Sequence, residues 1–287
     1  MSQTLRAGHH PWGGHAAGGG RRHLGVDELQ RAIQALDAGE FRRRPSVRTS
    51  ATRTLMATEV GQAWTPGPAE LVVPVLGCAG QDGATTLALA IAGAAAVPAR
   101  VVECAAAPLS GLAVASDAEL GPVGDAWQRG RRGGVSLERR TQLSGQRSEP
   151  PLPSPAAEGP TVTILDAGVL WPAVHAHGWV AQLVAAAPRL VLICRLSVPG
   201  MRRLETALDL LGEDRVIGAV VGPPHRRWPR SVACTLGPLT RSLIRSERLV
   251  SVREDRRLAL FGLTSTDLPR PVMAAGQDLL TLMEGTA

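Results

Sequence analysis

Short apolar runs alternate with helix-spaced segments in this chain only from about residue 68 onward. The first run, Leu71-Val72-Val73-Pro74-Val75-Leu76, lies between a Pro66-Gly67-Pro68 boundary and the glycine-bearing turn Gly77 to Gly83. An unbroken apolar run of this length suits a strand covered on both faces, so residues 71–76 are expected at the centre of a sheet. Ala84 to Val97 reads as a helix stopped by Pro98, and Arg100 to Cys104 as a second strand. A segment centred on Leu109 to Leu120 follows. Residues 121–160 are rich in Gly, Pro, Ser and Arg and predict loop in parts, with one strand around Gly134 to Glu138. Pro150, Pro151, Pro153 and Pro155 fit neither a ladder nor a helix interior, so most of 140–158 is expected to lack stable structure. Beyond them come a strand at 161–166, a helix between Trp171 and Ala187, and a strand at 190–195. A helix at 201–211 and a strand at 216–221 complete the pattern. Strands alternating with helices at this spacing predict an α/β fold with a doubly wound, mainly parallel sheet. Right-handed crossovers would line the strand C-termini, and any ligand, along one edge.

Before that domain, assigned to residues 68–287, the pattern is different. Residues 1–23 are rich in Gly, His and Arg without hydrophobic periodicity, and a disordered N-terminal extension is expected there. His9, His10, His15 and His23 lie in it with no fixed geometry for a metal. Within 24–39, Val26, Leu29, Ile33 and Leu36 share one helical face. So short a helix is marginal alone and is expected to dock, on its own domain or on a protein partner. Residues 40–67 read as a polar linker.

Composition narrows the choices. The 287 residues are 44% hydrophobic but only 3% aromatic, so the core must be built from Ala, Val, Leu and Ile. Lysine and asparagine are absent, and all 31 positive residues are Arg. No chemistry that requires a lysine can be complete in this chain. The formal charge of +6 permits attraction to nucleic acid or anionic lipid, though clusters such as Arg42–Arg44 and Arg129, Arg131 and Arg132 read first as a solvated basic surface. The four cysteines have no CxxC or zinc-type spacing and read as small buried residues in a reducing, cytoplasmic setting. No secretory signature is visible, and the longest apolar stretch, Val180 to Cys194, is broken by Pro188 and Arg189, so no membrane insertion is expected.

The candidate chemistry lies in Gly80-Gln81-Asp82-Gly83-Ala84-Thr85-Thr86, between a strand and an Ala-rich helix. Glycines there let backbone N–H groups converge on an anion, and the helix N-terminus adds positive potential. Thr85 stands where such loops place the hydroxyl that binds Mg²⁺.

The segment resembles the deviant phosphate-binding loop of ParA/MinD-like P-loop ATPases, K-G-G-x-G-K-[ST]-[ST]. Aligned on the paired threonines, Gly80 and Gly83 match family glycines, and Gln81 stands at a further glycine. Ala79 and Ala84 fall at the two lysines. The resemblance extends in pattern over most of 70–287. Ile164-Leu165-Asp166 resembles the family strand whose Asp stands near Mg²⁺ and the attacking water, which makes Asp166 the candidate catalytic and Mg²⁺-side residue. Glu103 stands where the family often has an Asp of its first switch, Val216 to Val221 with Gly222-Pro223-Pro224 resembles the strand preceding the base-binding region, and Leu249 to Asp255 resembles a late family segment. The resemblance implies ATP and Mg²⁺ as ligands, here bound weakly, and a protein partner, reached through the N-terminal helix or sheet-edge loops, or a homodimer. Family variants with such reduced loops resemble accessory proteins of actinobacterial mobile elements, near conjugation or secretion genes.

The lost lysines matter energetically, because each charge-assisted contact to phosphate in a water-poor site is worth several kcal/mol at the transition state. Three functions stay open at this point. One is a regulatory or scaffold protein with little hydrolysis. A second is a slow ATPase using an arginine such as Arg195. The third is a nucleic-acid-binding module built on Arg clusters, among them Arg226, Arg227 and Arg230 beside Trp228, a ring that either stacks on a base or closes the core. His175 and His177 read as helix-end histidines more readily than as pocket residues, and no G-x-S-x-G elbow supports a hydrolase triad.

Overall fold

The structure, a computed structural model, describes residues 63–105, 110–124, 126–141, 149–156, 158–175 and 178–285. The expected disorder of 1–23, the helix of 24–39, most of the linker and His177 lie outside the described residues.

The apolar run becomes β1 (Glu70–Gly77), which pairs in parallel with β6 (Thr161–Val169) on one side and β7 (Leu190–Arg195) on the other. It is therefore an interior strand, as its two-sided apolar pattern requires. Pro74 is tolerated in it because β7 joins only from Val75 onward. Beyond β6 comes β2 (Ala99–Glu103), and beyond β7 come β8 (Val216–Val221) and β9 (Leu249–Val252), all parallel. The far edge differs from expectation. The polar stretch after residue 117 holds three strands: two that were not expected, β3 (Ala118–Val123) and β4 (Trp127–Arg132), and the one expected around Gly134 to Glu138, which is β5 (Val135–Arg140). β3–β4 and β4–β5 are antiparallel, the second pair closed by Gly133-Gly134 with Gly133 at φ 55°, while β5 lies parallel to β2. The sheet order is β3-β4-β5-β2-β6-β1-β7-β8-β9. From β1 the chain fills one side of the sheet, ending with β6 inserted beside β1, and then the other side through β7, β8 and β9, so the doubly wound α/β class holds.

Helices cover both faces. On one face lie α1 (Ala84–Ala94), α2 (Leu112–Ala115) and α9 (Arg270–Glu284), which share a core with Val73, Val101, Ile164 and Ile193. α1 and α9 come close because α9 has Gly276 at the crossing, where a Cβ would lie 2.5 Å from the Ala90 backbone. On the other face lie α3 (Leu170–His175), α4 (Trp179–Ala186), α5 (Val198–Leu211), α6 (Arg230–Ala233) and α7 (Pro238–Arg245). They pack with Leu76, Val102, Leu165 and Leu192. The single helix expected between Trp171 and Ala187 is two, the second entered from the extended Gly178. The Glu149 carboxylate accepts the Trp179 N–H and so holds the start of the second. α8 (Arg256–Phe261) follows β9 and starts on Asp255, which accepts the N–H groups of Arg257 and Leu258 at 2.9 and 3.0 Å.

The proline-rich segment also departs from expectation. Residues 149–156 form no helix or ladder, yet they are held in place, because their carbonyls accept from buried side chains. Trp179 Nε1 donates to Pro150 O at 2.7 Å, Trp127 Nε1 to Leu152 O at 2.9 Å, and Arg100 Nη1 to Ser154 O at 2.6 Å. Arg100 is the hub of this end of the sheet, bonding Glu70 at 2.8 Å, Glu138 at 3.3 Å and Thr163 at 2.8 Å. Trp64, from the last linker residues, lies over its guanidinium at 5.7 Å and meets Trp179 edge-on at 5.5 Å. Several other arginines expected as solvated surface are also structural. Arg129 pairs with Glu138 at 3.1 Å, and Arg132 ties Ala115 O to Thr264 O at 2.8 and 2.7 Å.

Cys78, Cys104 and Cys194 are buried, Cys234 is exposed, and all are free thiols. Among the described residues no helix is long and apolar enough to cross a membrane.

Candidate functional site

β1 ends beside the point where the winding changes direction, between β6 and β7, which is where open α/β sheets form a crevice. The residues after it, Cys78 to Gly83, turn over the strand end and lead into α1. The Cys78 N–H donates to Ile193 O at 2.8 Å, so the loop starts clamped to β7. Gln81, at φ 64°, and Gly83, at φ 97°, then take left-handed conformations. A Gln in that conformation costs about 1 kcal/mol relative to glycine. No side chain caps α1, so its first N–H groups face the crevice uncapped.

The loop floors a cleft of about 800 Å³. Residues 79–86 line it together with Gly168, Ile193 and Arg195, so every residue expected in the phosphate loop is present at one wall. Leu258, Leu263 and Val272 give the opposite wall an apolar character suited to a flat ring. Ala84 also lines the cleft, but its side chain ends at Cβ and supplies no charge.

Asp82 puts a carboxylate inside the loop, but its side chain is turned back on the backbone. Only 7% exposed, it accepts the Ala79 N–H at 2.7 Å, with the Arg195 N–H also holding it. Burial pushes its carboxyl up from the ordinary range, against the lowering effect of those two N–H groups and of Arg203 and Arg195. Its role is to stitch the loop to the end of β7.

Behind the loop stands Asp166, fully buried on β6. Its Oδ2 accepts the Thr85 hydroxyl at 2.7 Å and lies 3.5 Å from the Ser110 hydroxyl. Its Oδ1 is buried without a well-formed hydrogen bond. Burial raises the Asp166 pKa to about 6; the Thr85 hydrogen bond lowers it, while the charge of Glu103 raises it. Glu103, paired in register with Asp166 on β2, is itself pushed up by burial, opposed by the Arg140 N–H, which it accepts at 2.8 Å. Two acids thus share one dry space beside the threonine.

This donor set fits a hard divalent cation only in part. The Thr85 hydroxyl and the Asp166 carboxylate supply hard ligands at one place, but no group of three or more acidic, His or Cys side chains forms a metal site among the described residues. Phosphate oxygens of a bound ligand would have to complete the shell.

The remaining candidates lie elsewhere. Trp228 is buried, and its indole N–H donates to Pro223 O at 2.8 Å, so the ring closes the core and is not free to stack on a base. Arg226, Arg227 and Arg230 beside it are exposed. His175 lies with Nδ1 2.8 Å from Trp171 O, outside the cleft wall. Sequence reasoning did not place Ser110 or Glu254 at the site. The first follows residues without a clear pattern, and the second reaches it only through the sheet order.

No protein-family model matches this sequence, and no curated protein does either. Solved structures do. The chain is similar to a plasmid partition protein from Borrelia burgdorferi B31 bound to AMPPNP, at 10% identity over 78% of this chain and 100% of that one, with a TM-score of 0.49. It is also similar to Cyanothece McdA in an ATP complex, at 15% identity over 76% and 98% with a TM-score of 0.47. The MinD cell division protein of Aquifex aeolicus is similar at 13% identity over 76% and 98%, with a TM-score of 0.47. These scores and identities carry no argument about what this chain binds; its α/β class rests on its own strand order.

Proposed function

We propose that this chain is a reduced ParA/MinD-type P-loop protein, a regulatory or scaffold component of partition, conjugation or secretion machinery that binds nucleotide weakly and hydrolyses it little. One observation carries the reading. The strand–loop–helix frame, the uncapped α1 and the Thr85–Asp166 bond at 2.7 Å are all in place, while the position that should grip phosphate is Ala84. ATP with Mg²⁺ is the ligand class that such a frame takes. Backbone N–H groups of 80–86 would cradle the phosphates, and Thr85 and Asp166 would face the cation, whose contribution is to neutralise phosphate charge. Its counterpart in this reading is a protein partner, contacted through the N-terminal segment or the sheet-edge loops, or a second copy of the chain.

The arginine-assisted ATPase keeps one supporting observation, since Arg195 lines the cleft. It is, however, held by Glu254. The nucleic-acid reading loses its aromatic, because Trp228 is buried.

Calorimetry with Mg-ATP tests the proposal. The natural chain should bind in the millimolar range. Ala84→Lys should tighten binding by about tenfold or more, since a charge-assisted hydrogen bond is worth about 1.5–3 kcal/mol. If the lysine variant, shown folded by circular dichroism, gained nothing, the cleft would not be a nucleotide pocket.

A further inference from the structure

The cleft has lost its lysine but not all positive charge. Among the described residues its walls carry Arg195 and Arg253. They differ in reach. β7 is the direct neighbour of β1, and Ile193 stands in register with Gly77, so Arg195 rises immediately beside the phosphate loop. Arg253 follows β9, separated from β1 by both β7 and β8. At about 4.8 Å per strand it starts roughly 14 Å away.

Arg195 is not idle. Its guanidinium pairs with Glu254, and both side chains are about half exposed, at 47% and 51%. The register shows what this pair spans. Arg195, Val221 and Val252 stand in one row across the C-terminal edge of the sheet, and Glu254 follows two residues after that row. The ion pair therefore bridges from β7 over the end of β8 to the segment leaving β9. The next residue, Asp255, caps α8, whose Leu258 and Ala259 form part of the opposite wall. One salt bridge thus links the loop side of the cleft to its apolar side. At the base of Arg195, its backbone N–H is held by buried Asp82, so the main chain is fixed while the side chain remains partly in water.

We propose that Arg195 is the phosphate-binding cation of this cleft and that Glu254 is its exchangeable latch: the phosphate chain of a nucleoside di- or triphosphate displaces the Glu254 carboxylate from Arg195, freeing 254–261. The proposal rests on the nucleotide-pocket reading above and adds the residue that binds and the residue that competes.

The magnitudes favour exchange. A half-exposed ion pair is worth at most a factor of about five in an equilibrium, because water and salt screen it. A guanidinium gripping a phosphate through charge-assisted hydrogen bonds is worth about tenfold or more. Phosphate should therefore win at accessible concentrations, while Glu254 sets a modest threshold. The chain keeps ligand affinity low twice, by omitting the lysine and by occupying the arginine.

A double-mutant cycle on the full chain tests this, with binding read by calorimetry for inorganic pyrophosphate and for ATP. Glu254→Gln should tighten both ligands by about two- to fivefold. Arg195→Gln should weaken both by about tenfold. In the double variant the Glu254→Gln gain should vanish, because there is no arginine left to release. The remaining gain separates a latch from a general relief of negative charge, which would persist without Arg195. Hydrogen exchange at 254–261 should quicken when pyrophosphate binds the natural chain.

Additive effects of the two substitutions would overturn the proposal, as would unchanged affinity in Arg195→Gln or coupling seen with ATP but not pyrophosphate. Ala84→Lys carries the control. If it binds ATP tightly while Arg195→Gln changes nothing, the latch is wrong and the pocket stands. If a folded Ala84→Lys chain binds neither probe, the pocket itself is refuted, and the latch with it.

Discussion

Replacing Asp166 with Asn should stabilise the protein at neutral pH and leave it unchanged in acid. The side chain is fully buried, its pKa lies at about 6 against an ordinary value of 3.8, and one of its oxygens has no well-formed hydrogen bond. A carboxyl whose folded pKa is raised binds its proton more tightly in the folded chain. Its stabilising contribution is therefore complete below about pH 3.8 and is lost as pH climbs through about 6. A rise of about two units corresponds to about 3 kcal/mol, with Glu103 nearby adding to the strain in the same direction. Asn keeps the shape and still offers an oxygen to the Thr85 hydroxyl, but it carries no charge to bury. Urea unfolding at pH 7.5 should show Asp166→Asn more stable than the natural chain by up to about 3 kcal/mol at unchanged slope. Near pH 4 the two midpoints should converge. Equal stability at pH 7.5, or a loss there, would refute the description of Asp166 as a charge held in a dry site without enough partners.

Gly276→Ala should cost about 3 kcal/mol, because its Cβ would meet the Ala90 backbone at 2.5 Å where α1 and α9 cross, and backbone yields less than a side chain; a lowered urea midpoint checks it. Arg100→Ala should cost about 3–5 kcal/mol by removing the ion-pair partner of buried Glu70 and one of the two partners of buried Glu138, whereas a double change removing Arg100 and Glu138 should recover part of that loss.

The parallel half of the fold was readable in the sequence. Runs such as Leu71 to Leu76 and Leu190 to Arg195 are apolar because helices cover both of their faces, and covered strands announce themselves. β3, β4 and β5 were not, apart from the segment around Gly134 to Glu138. Arg129, Arg131 and Arg132 make β4 look like a solvated loop, and only the structure shows Arg129 on Glu138 and Arg132 on carbonyls beyond the sheet. The Gly133-Gly134 pair between two six-residue strands was the available hairpin signal. At the site, the loop and Asp166 were legible because each follows or ends an apolar run of a recognisable pattern, β1 and β6, which the sheet places side by side. The direction of the Asp82 side chain was not, since it depends on the Ala79 and Arg195 N–H groups. Nor was Glu254, which lies 59 residues from Arg195 and meets it only across β8.

The central claim is that the frame of a nucleotide site persists here without efficient turnover, and phosphate release measures it most directly. Purified full-length chain is incubated with ATP and Mg²⁺, beside Thr85→Ala and Asp166→Ala as references. Ala84 itself offers the phosphates no charge, and an assisting arginine such as Arg195 acts best where a lysine already holds them. Release should remain near background in all three proteins, with and without Mg²⁺. A clear Mg²⁺-dependent activity that disappears in Thr85→Ala would contradict the account and make the protein an arginine-assisted ATPase.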